Sequence, residues 1–235
     1  MSDIKPIIEE PAMRELLSRT FEPPIDNLVP IESGHMARVF SFGVEDREYV
    51  LRFTKEDSGS FKKEKMIYDQ FARPTIPIPP LIELGTFNEL YFSISQKMPG
   101  QELSALSKDD YFQVLPSNMK TLLAIHQSDV SQFSGYSWLG EDGNGVEASW
   151  EQALKRVMNE DPDDFFGLWH TLFDSLLDRD YFELVYQKMV SLIPYCSKER
   201  YLVHRDYDYN NVLAKYGEIT AVLDWGQVSY GDFVF

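Results

Sequence analysis

Two runs of apolar–polar alternation, "ARVFSFGV" at 37–44 and "REYVLRF" at 47–53, constrain the fold of this chain more than any other feature. A period of two puts Phe40, Phe42 and Val44 on one face of the first run, and Tyr49, Leu51 and Phe53 on one face of the second. Gly43 and Asp46, in the link between them, suit a hairpin. A second pair, 80–87 and 90–96, is divided by Asn88-Glu89. Between the pairs, "SGSFKKEKMIYDQFARP" predicts a helix capped by Ser58 or Ser60 and followed by Pro74.

The second half reads differently. Leu115, Met119, Leu122 and His126 recur at helical spacing, and Pro116 inside that stretch predicts a kink or a fresh start. Tyr181, Val185, Met189 and Leu192 form another stripe, with Asp180 and Glu183 resembling a capping box and Pro194 a stop. The change of character falls at "QKMPGQELS" (96–104), where Pro99-Gly100 marks a turn taken as a hinge. The expectation is an α+β chain of two lobes. Residues 1–97 form an N-terminal antiparallel sheet lobe for nucleotide, and 98–235 a larger, mainly helical C-terminal lobe.

Composition narrows the setting. A chain of 235 residues, 43% hydrophobic, can bury the core that two lobes require. The lone Cys196 forms neither an intramolecular disulfide nor a zinc site, which suits a reducing cytoplasm. No apolar run approaches the ~18 residues of a membrane span, and the acidic, mixed N-terminus does not read as a signal peptide. A net charge of −16 argues against nucleic acid as partner and is compatible with a small polycationic ligand.

The chemistry concentrates in "YLVHRDYDYNNVLAKYGEITAVLDWGQ", residues 201–227. Asp206 follows a β run, Asn211 closes a polar loop, and Asp224 ends the run "ITAVL". Pairing of the runs 201–203 and 219–223 as a hairpin would bring Asn211 and Asp224 together. One amide oxygen and one carboxylate suit Mg²⁺ when phosphates and water complete its shell. Asp206 is then available to accept a proton from a hydroxyl. H-x-D-x-x-x-x-N followed by a β run ending in Asp is the kinase arrangement.

A nucleotide needs a cation as well. Arg52 lies in "YVLRF", and Glu64 sits on the apolar face of the following helix, where a carboxylate requires a partner. Arg52 is the natural one, with Lys62, Lys63 and Lys65 as competing neutralisers and Lys55 as a rival phosphate cation. Ser33, Gly34 and His35 offer backbone N–H groups over phosphates, although one glycine is not a full glycine-rich pattern. His126 and His170 read as structural, and His204 as a support of the loop. The acidic stretch 159–166, with Glu160, Asp161, Asp163 and Asp164, is either a solvated loop or a contact for a cationic substrate.

Together "FSFGVEDREYVLR", "PIPPLIELGTF", "SISQKMPG", "LVHRDYDYNNVL", "ITAVLDWGQ" and the Gly231-Asp232 pair resemble the aminoglycoside phosphotransferases, in particular the hygromycin B phosphotransferase branch. The resemblance covers roughly residues 28 to 235. It implies a two-lobed protein-kinase-like fold, ATP and Mg²⁺, and transfer of the γ-phosphoryl group to a hydroxyl of an aminoglycoside-like substrate. By motif position it implies Asp206 as catalytic base, Asn211 and Asp224 as metal ligands, Arg52 as phosphate cation and Glu64 as its helix partner. It also implies Gln96, Lys97 and Met98 as the adenine-holding hinge, and Asp232 as a loop support although Phe233 replaces the family's proline. The family continues for several helices beyond this Gly-Asp element, so the acceptor half is expected to be short. A truncated remnant or nucleotide-binding pseudokinase is the alternative, and a protein Ser/Thr kinase a further one. Against the last, Asp224 runs almost directly into Gly231-Asp232, leaving no activation segment.

Overall fold

The alternating runs build a five-stranded antiparallel sheet of order β1-β2-β3-β5-β4. Its strands are β1 (Asp26–Ile31), β2 (Arg38–Val44), β3 (Arg47–Thr54), β4 (Leu81–Phe87) and β5 (Leu90–Gln96). The structure is a computed structural model and describes residues 5–22, 24–32, 37–56, 59–161, 171, 173 and 178–233. Ser33, Gly34, His35, Ser58, Asp163, Asp164 and His170 lie outside the described residues.

Both expected hairpins form. Glu45 and Asp46 make the first turn, and Asn88 and Glu89 the second, with φ of 49° and 62° as a two-residue loop of matching twist demands. One face of the sheet carries Phe40, Phe42, Tyr49, Leu51, Phe53, Phe92 and Ile94, all buried. Helix α1 (Glu10–Thr20) covers that face with Met13, Leu16 and Leu17. Phe42 and Tyr49 are register partners whose rings stack at 5.4 Å, and Phe21 closes against both. Because side chains alternate, Arg52 projects from the other face, beside its register partner Ser93.

The chain divides into two compact units, Met1–Ile125 with Asp206–Gln227, and His126–Arg205 with Val228–Phe235. The first holds the five-stranded sheet, α1, α2 (Ser60–Phe71), nearly all of α3 (Lys108–His126), and a three-stranded sheet of order β11-β10-β6. The strands of that small sheet are β6 (Gln101–Glu102), β10 (Val212–Lys215) and β11 (Glu218–Val222). The second unit holds a four-stranded sheet of order β8-β7-β12-β9 and the helices α4 (Trp150–Lys155) and α5 (Arg179–Leu192). Its strands are β7 (Tyr136–Leu139), β8 (Gly145–Glu147), β9 (Tyr201–Val203) and β12 (Ser229–Gly231). Among the described residues no helix is long and apolar enough to cross a membrane.

Four local expectations are corrected. The run 201–203 pairs with Ser229–Gly231, whereas 218–222 pairs with 212–215. Gly59, in a left-handed conformation, occupies the N-cap position of α2, so Ser60 is the first helical residue. Of the kink and the fresh start expected at Pro116 the fresh start does not occur, since α3 runs through it, and the buried positions of α3 are Val114, Thr121 and Ile125 while Met119 is exposed. Asp178, not Asp180, caps α5 by accepting from the Tyr181 N–H, and Tyr181 and Val185 face solvent. Phe182, Tyr186, Met189 and Val190 are the more sheltered residues of that helix, so Met189 alone of the expected stripe lies on that side.

Gly100 follows the Pro99 turn with φ of 122°, and a Cβ there would lie 2.6 Å from the Ala214 carbonyl oxygen and 2.8 Å from Thr220 Oγ1. Thr220 Oγ1 in turn donates to the Pro99 carbonyl at 2.5 Å. Gly217, in the turn between β10 and β11, has φ of 81° but open space around it. Gly217→Ala is expected to cost about 1 kcal/mol of backbone strain alone. Gly100→Ala adds a backbone collision and is expected to cost at least about 2 kcal/mol. At about 2–4 °C per kcal/mol for a chain of this size, calorimetry should show the Gly100 variant melting clearly lower than the Gly217 variant. Equal melting temperatures would contradict the packing of this turn.

Candidate active site

Asn211 and Asp224 come to the same end of a hairpin, but not the hairpin expected from the sequence. Strands β10 and β11 pair Val212 with Val222, so the residues just outside that pair lie at one open end. Tyr216 and Gly217 close the far end, both at positive φ. At the open end the Leu223 N–H donates to the Asn211 carbonyl at 2.7 Å, and Asp224 is the next residue. Asp224 is exposed and has φ of 57°. A non-glycine residue in that region costs free energy and is found where surrounding structure enforces it.

The loop before β10 turns on its own side chains. Asn211 Nδ2 donates to the Asp206 carbonyl oxygen and to Asp206 Oδ2, both at 2.9 Å. Both partners are acceptors, so the amide nitrogen must face them and Oδ1 faces away. Asp208 Oδ1 accepts from the N–H groups of Asn210 at 2.8 Å and Asn211 at 3.0 Å, which fixes the backbone that presents this amide. The Tyr207 hydroxyl donates to Asn118 Oδ1 on α3 at 2.7 Å. Burial pushes the Tyr207 phenol up, so it remains a neutral donor.

Arg52 is clamped on the polar face of the sheet. Its Nε donates to Ser93 Oγ at 3.1 Å, one terminal nitrogen donates to Glu64 Oε1 at 3.1 Å, and the other to Glu64 Oε2. This two-pronged pairing leaves two of the five guanidinium N–H donors without a partner among the described residues. The guanidinium carbon also lies 4.9 Å from the centre of the Phe61 ring. Burial pulls the Arg52 pKa down, but Glu64, by charge and hydrogen bond, and the charge of Asp224 leave it raised overall. Two of the competing lysines have other partners: Lys65 pairs with Asp69 at 2.5 Å, and Lys63 Nζ donates to the Gly226 carbonyl at 2.9 Å, while Lys62 is exposed. Lys55 is exposed.

At the end of β5 the Gln96 N–H donates to the Pro80 carbonyl and the Lys97 N–H to the Glu48 carbonyl, each at 2.9 Å. Lys97 Nζ also pairs with Glu48 at 2.9 Å. Of the three residues expected at a hinge, the Met98 N–H is therefore the one not engaged by another described residue. In the second unit, His204 is buried, and burial pulls the half-exposed His126 down. There Asp232 Oδ2 accepts from the Ser197 N–H at 3.4 Å, a weak loop contact. Arg205, at φ of 67°, lies over the Trp138 ring at 4.9 Å. Asp161 is exposed.

Asp206, Asn211, Asp224, Arg52 and Glu64 thus all belong to the first unit. Among the described residues no group of three or more His, Cys, Asp or Glu side chains is placed to hold a metal ion. An amide oxygen and an exposed carboxylate carried at one hairpin end are the donor types a hard cation takes when phosphate and water supply its remaining ligands. Sequence reasoning misses Asp208, Tyr207 with Asn118, and the Gly226 partner of Lys63. The Asp-x-x-Asn spacing of Asp208 and Asn211 is a usable sign of a side-chain-built turn, whereas the partners of Tyr207 and Lys63 are remote in sequence.

The Arg52–Glu64 pair is accessible only to 21% and 11% at its side chains, so removing one partner strands the other. Glu64→Ala is expected to cost about 2–3 kcal/mol, less than the about 3–5 kcal/mol of a fully enclosed pair. In a double-mutant cycle with Arg52→Ala, denaturant unfolding should show coupling of at least about 1 kcal/mol. Additive losses would mean that the pairing contributes nothing specific.

Comparison with known proteins places this geometry in a lineage. The APH model, described as the phosphotransferase enzyme family, matches residues 27–235. Hygromycin-B 4-O-kinase of Escherichia coli is 31% identical over 229 residues, which is 97% of this chain and 65% of that protein. The chain therefore spans just under two thirds of the length of this curated relative. The crystal structure of aminoglycoside phosphotransferase APH(4)-Ia superposes with a TM-score of 0.81 at 31% identity, covering 96% of this chain and 74% of that one. A thermostable mutant of that protein, in a ternary complex with AMP-PNP and hygromycin B, gives 0.80 at 30% identity over 95% and 74% of the two chains. The architecture is the α+β, protein-kinase-like fold of these proteins. With the family match running from residue 27 to the last residue, the chain belongs to the phosphotransferase enzyme family.

Proposed function

We propose that this chain transfers the γ-phosphoryl group of ATP to a hydroxyl of an aminoglycoside-like polycation of the hygromycin B type. The observation that carries this reading is the Asn211 amide, whose nitrogen is spent on Asp206 while its oxygen faces away beside the hairpin end bearing Asp224. In this reading Asn211 Oδ1 and the Asp224 carboxylate hold Mg²⁺, which supplies charge neutralisation at the phosphates. Arg52, oriented by Glu64, directs its remaining N–H donors at phosphate oxygens. Asp206 orients the acceptor hydroxyl and takes its proton. Met98 offers its N–H to the adenine, and Gln96 and Lys97 set that strand end in place. Ser33 and Gly34 belong to the proposal as phosphate-covering backbone.

The chain's net charge of −16 supports a cationic acceptor, because an acidic surface draws and retains polyamines. Residues 1–97 are assigned to nucleotide binding and 98–235 to the part carrying the catalytic loop. The reading places the protein in the cytoplasm, where Mg-ATP is available, and a phosphorylated aminoglycoside would no longer suit an anionic RNA target, giving antibiotic resistance.

A coupled ADP-release assay with hygromycin B and a panel of aminoglycosides tests the substrate class. ADP release dependent on one of these compounds is expected. A folded chain that binds Mg-ATP but turns over none of them would instead be a nucleotide-binding pseudokinase. Asp206→Asn is expected to lower kcat by about 10²–10⁴ while leaving the Kd for Mg-ATP within about threefold. Turnover of that variant at the unmodified rate would remove the base assignment.

A further inference from the structure

Lys63 is a half-buried cation that the proposed phosphoryl-transfer chemistry does not use. Its place on an apolar helix next to Glu64 suggests a neutralising role, but Arg52 holds Glu64. Lys63 Nζ instead reaches the Gly226 carbonyl, 163 residues along the chain, at 2.9 Å. The approach is close: a Cβ on Gly226 would lie 2.6 Å from Ser60 Oγ and 3.4 Å from Asp224 Oδ1. Trp225, buried between Asp224 and Gly226, ties its indole N–H to the Val222 carbonyl at 3.0 Å. Upstream, the Leu223 N–H is held by the Asn211 carbonyl at 2.7 Å. Asp224, in its left-handed conformation, is thus suspended between two anchored points, and Lys63 supplies the downstream one.

We propose that Lys63 is a positioning residue that sets Asp224 for its cation. This rests on the phosphotransferase reading and extends it. Helix α2 acts as a brace with two neighbouring contacts: Glu64 orients Arg52 on β3, and Lys63 fixes the segment that follows Asp224. Cation site and phosphate cation are therefore referenced to one helix. A methionine at 63 keeps the aliphatic length but loses the ammonium donor, and an arginine keeps a donor.

The test compares the unmodified chain with Lys63→Met and Lys63→Arg in two measurements. Hydrogen exchange is followed over 222–228 without ligand, and AMP-PNP binding is titrated against Mg²⁺. Loss of one charge-assisted hydrogen bond is expected to speed exchange in that segment by about tenfold in Lys63→Met. The half-saturating Mg²⁺ concentration is expected to rise by a similar factor, with AMP-PNP affinity at saturating Mg²⁺ within about twofold. Lys63→Arg should restore most of both. Unchanged exchange and an unchanged Mg²⁺ midpoint would overturn the proposal, as would faster exchange spread evenly over the chain with a lower Tm. If the unmodified chain binds no Mg-nucleotide, the phosphotransferase reading fails by itself. The exchange measurement then decides the brace: a change confined to 222–228 and relieved by arginine supports it, and no change overturns it.

Discussion

The amide of Asn211 is the joint on which the candidate site turns. Its nitrogen bonds two oxygens of Asp206, and the backbone carbonyl of the same residue bonds the residue before Asp224. One residue therefore ties the loop that carries the first aspartate to the strand end that carries the second. A side-chain amide has donors on one side and an acceptor on the other, so satisfying the donors fixes where the acceptor points. An aspartate at this position would set carboxylate against carboxylate, and a serine would reach only one of the two oxygens. The left-handed backbone at Asp224 is what this closure costs locally, and the strand pairing of β10 and β11 sustains it.

The same logic of opposite faces governs the sheet. In β3, Tyr49, Leu51 and Phe53 point into the aromatic core under α1, while Arg52 between them points the other way. Burial of the three apolar side chains supplies the stability that holds a guanidinium beside Ser93 and Glu64. Core and chemistry are thus set by one register: a slip of one residue in β3 would bury Arg52 and expose Leu51. Helix α2 then joins the sheet's cation to the segment after Asp224, through Glu64 and Lys63.

The parts legible in the sequence are those with a local period or a local motif. Strands β2 and β3 alternate, β4 and β5 are divided by Asn88-Glu89, and the loop motif places an aspartate and an asparagine five residues apart, so the amino-acid order alone reveals all three. Arg52 with Glu64 is legible because a carboxylate on an apolar helix face demands a cation. The parts that escape have no such signal. Strand β1 contributes no fully buried residue and contains Pro30, so no alternation appears in it. Strands β7, β8 and β12 are too short to establish a period. The runs 201–203 and 219–223 are equally apolar, so apolarity alone pairs them wrongly, and only the turn at Tyr216-Gly217 selects the real partner. Helix α1 is legible in principle, since Met13, Leu16 and Leu17 fall at helical spacing after Pro11.

The central claim is that Asn211 and Asp224 share one cation. Its most direct test is paramagnetic broadening of the Asn211 side-chain amide in the presence of AMP-PNP and Mn²⁺ substituted for Mg²⁺. The account expects that resonance to vanish on addition of Mn²⁺ and to persist in Asp224→Ala at the same Mn²⁺ concentration. Bound nucleotide and Mn²⁺ with an unbroadened Asn211 amide would contradict it.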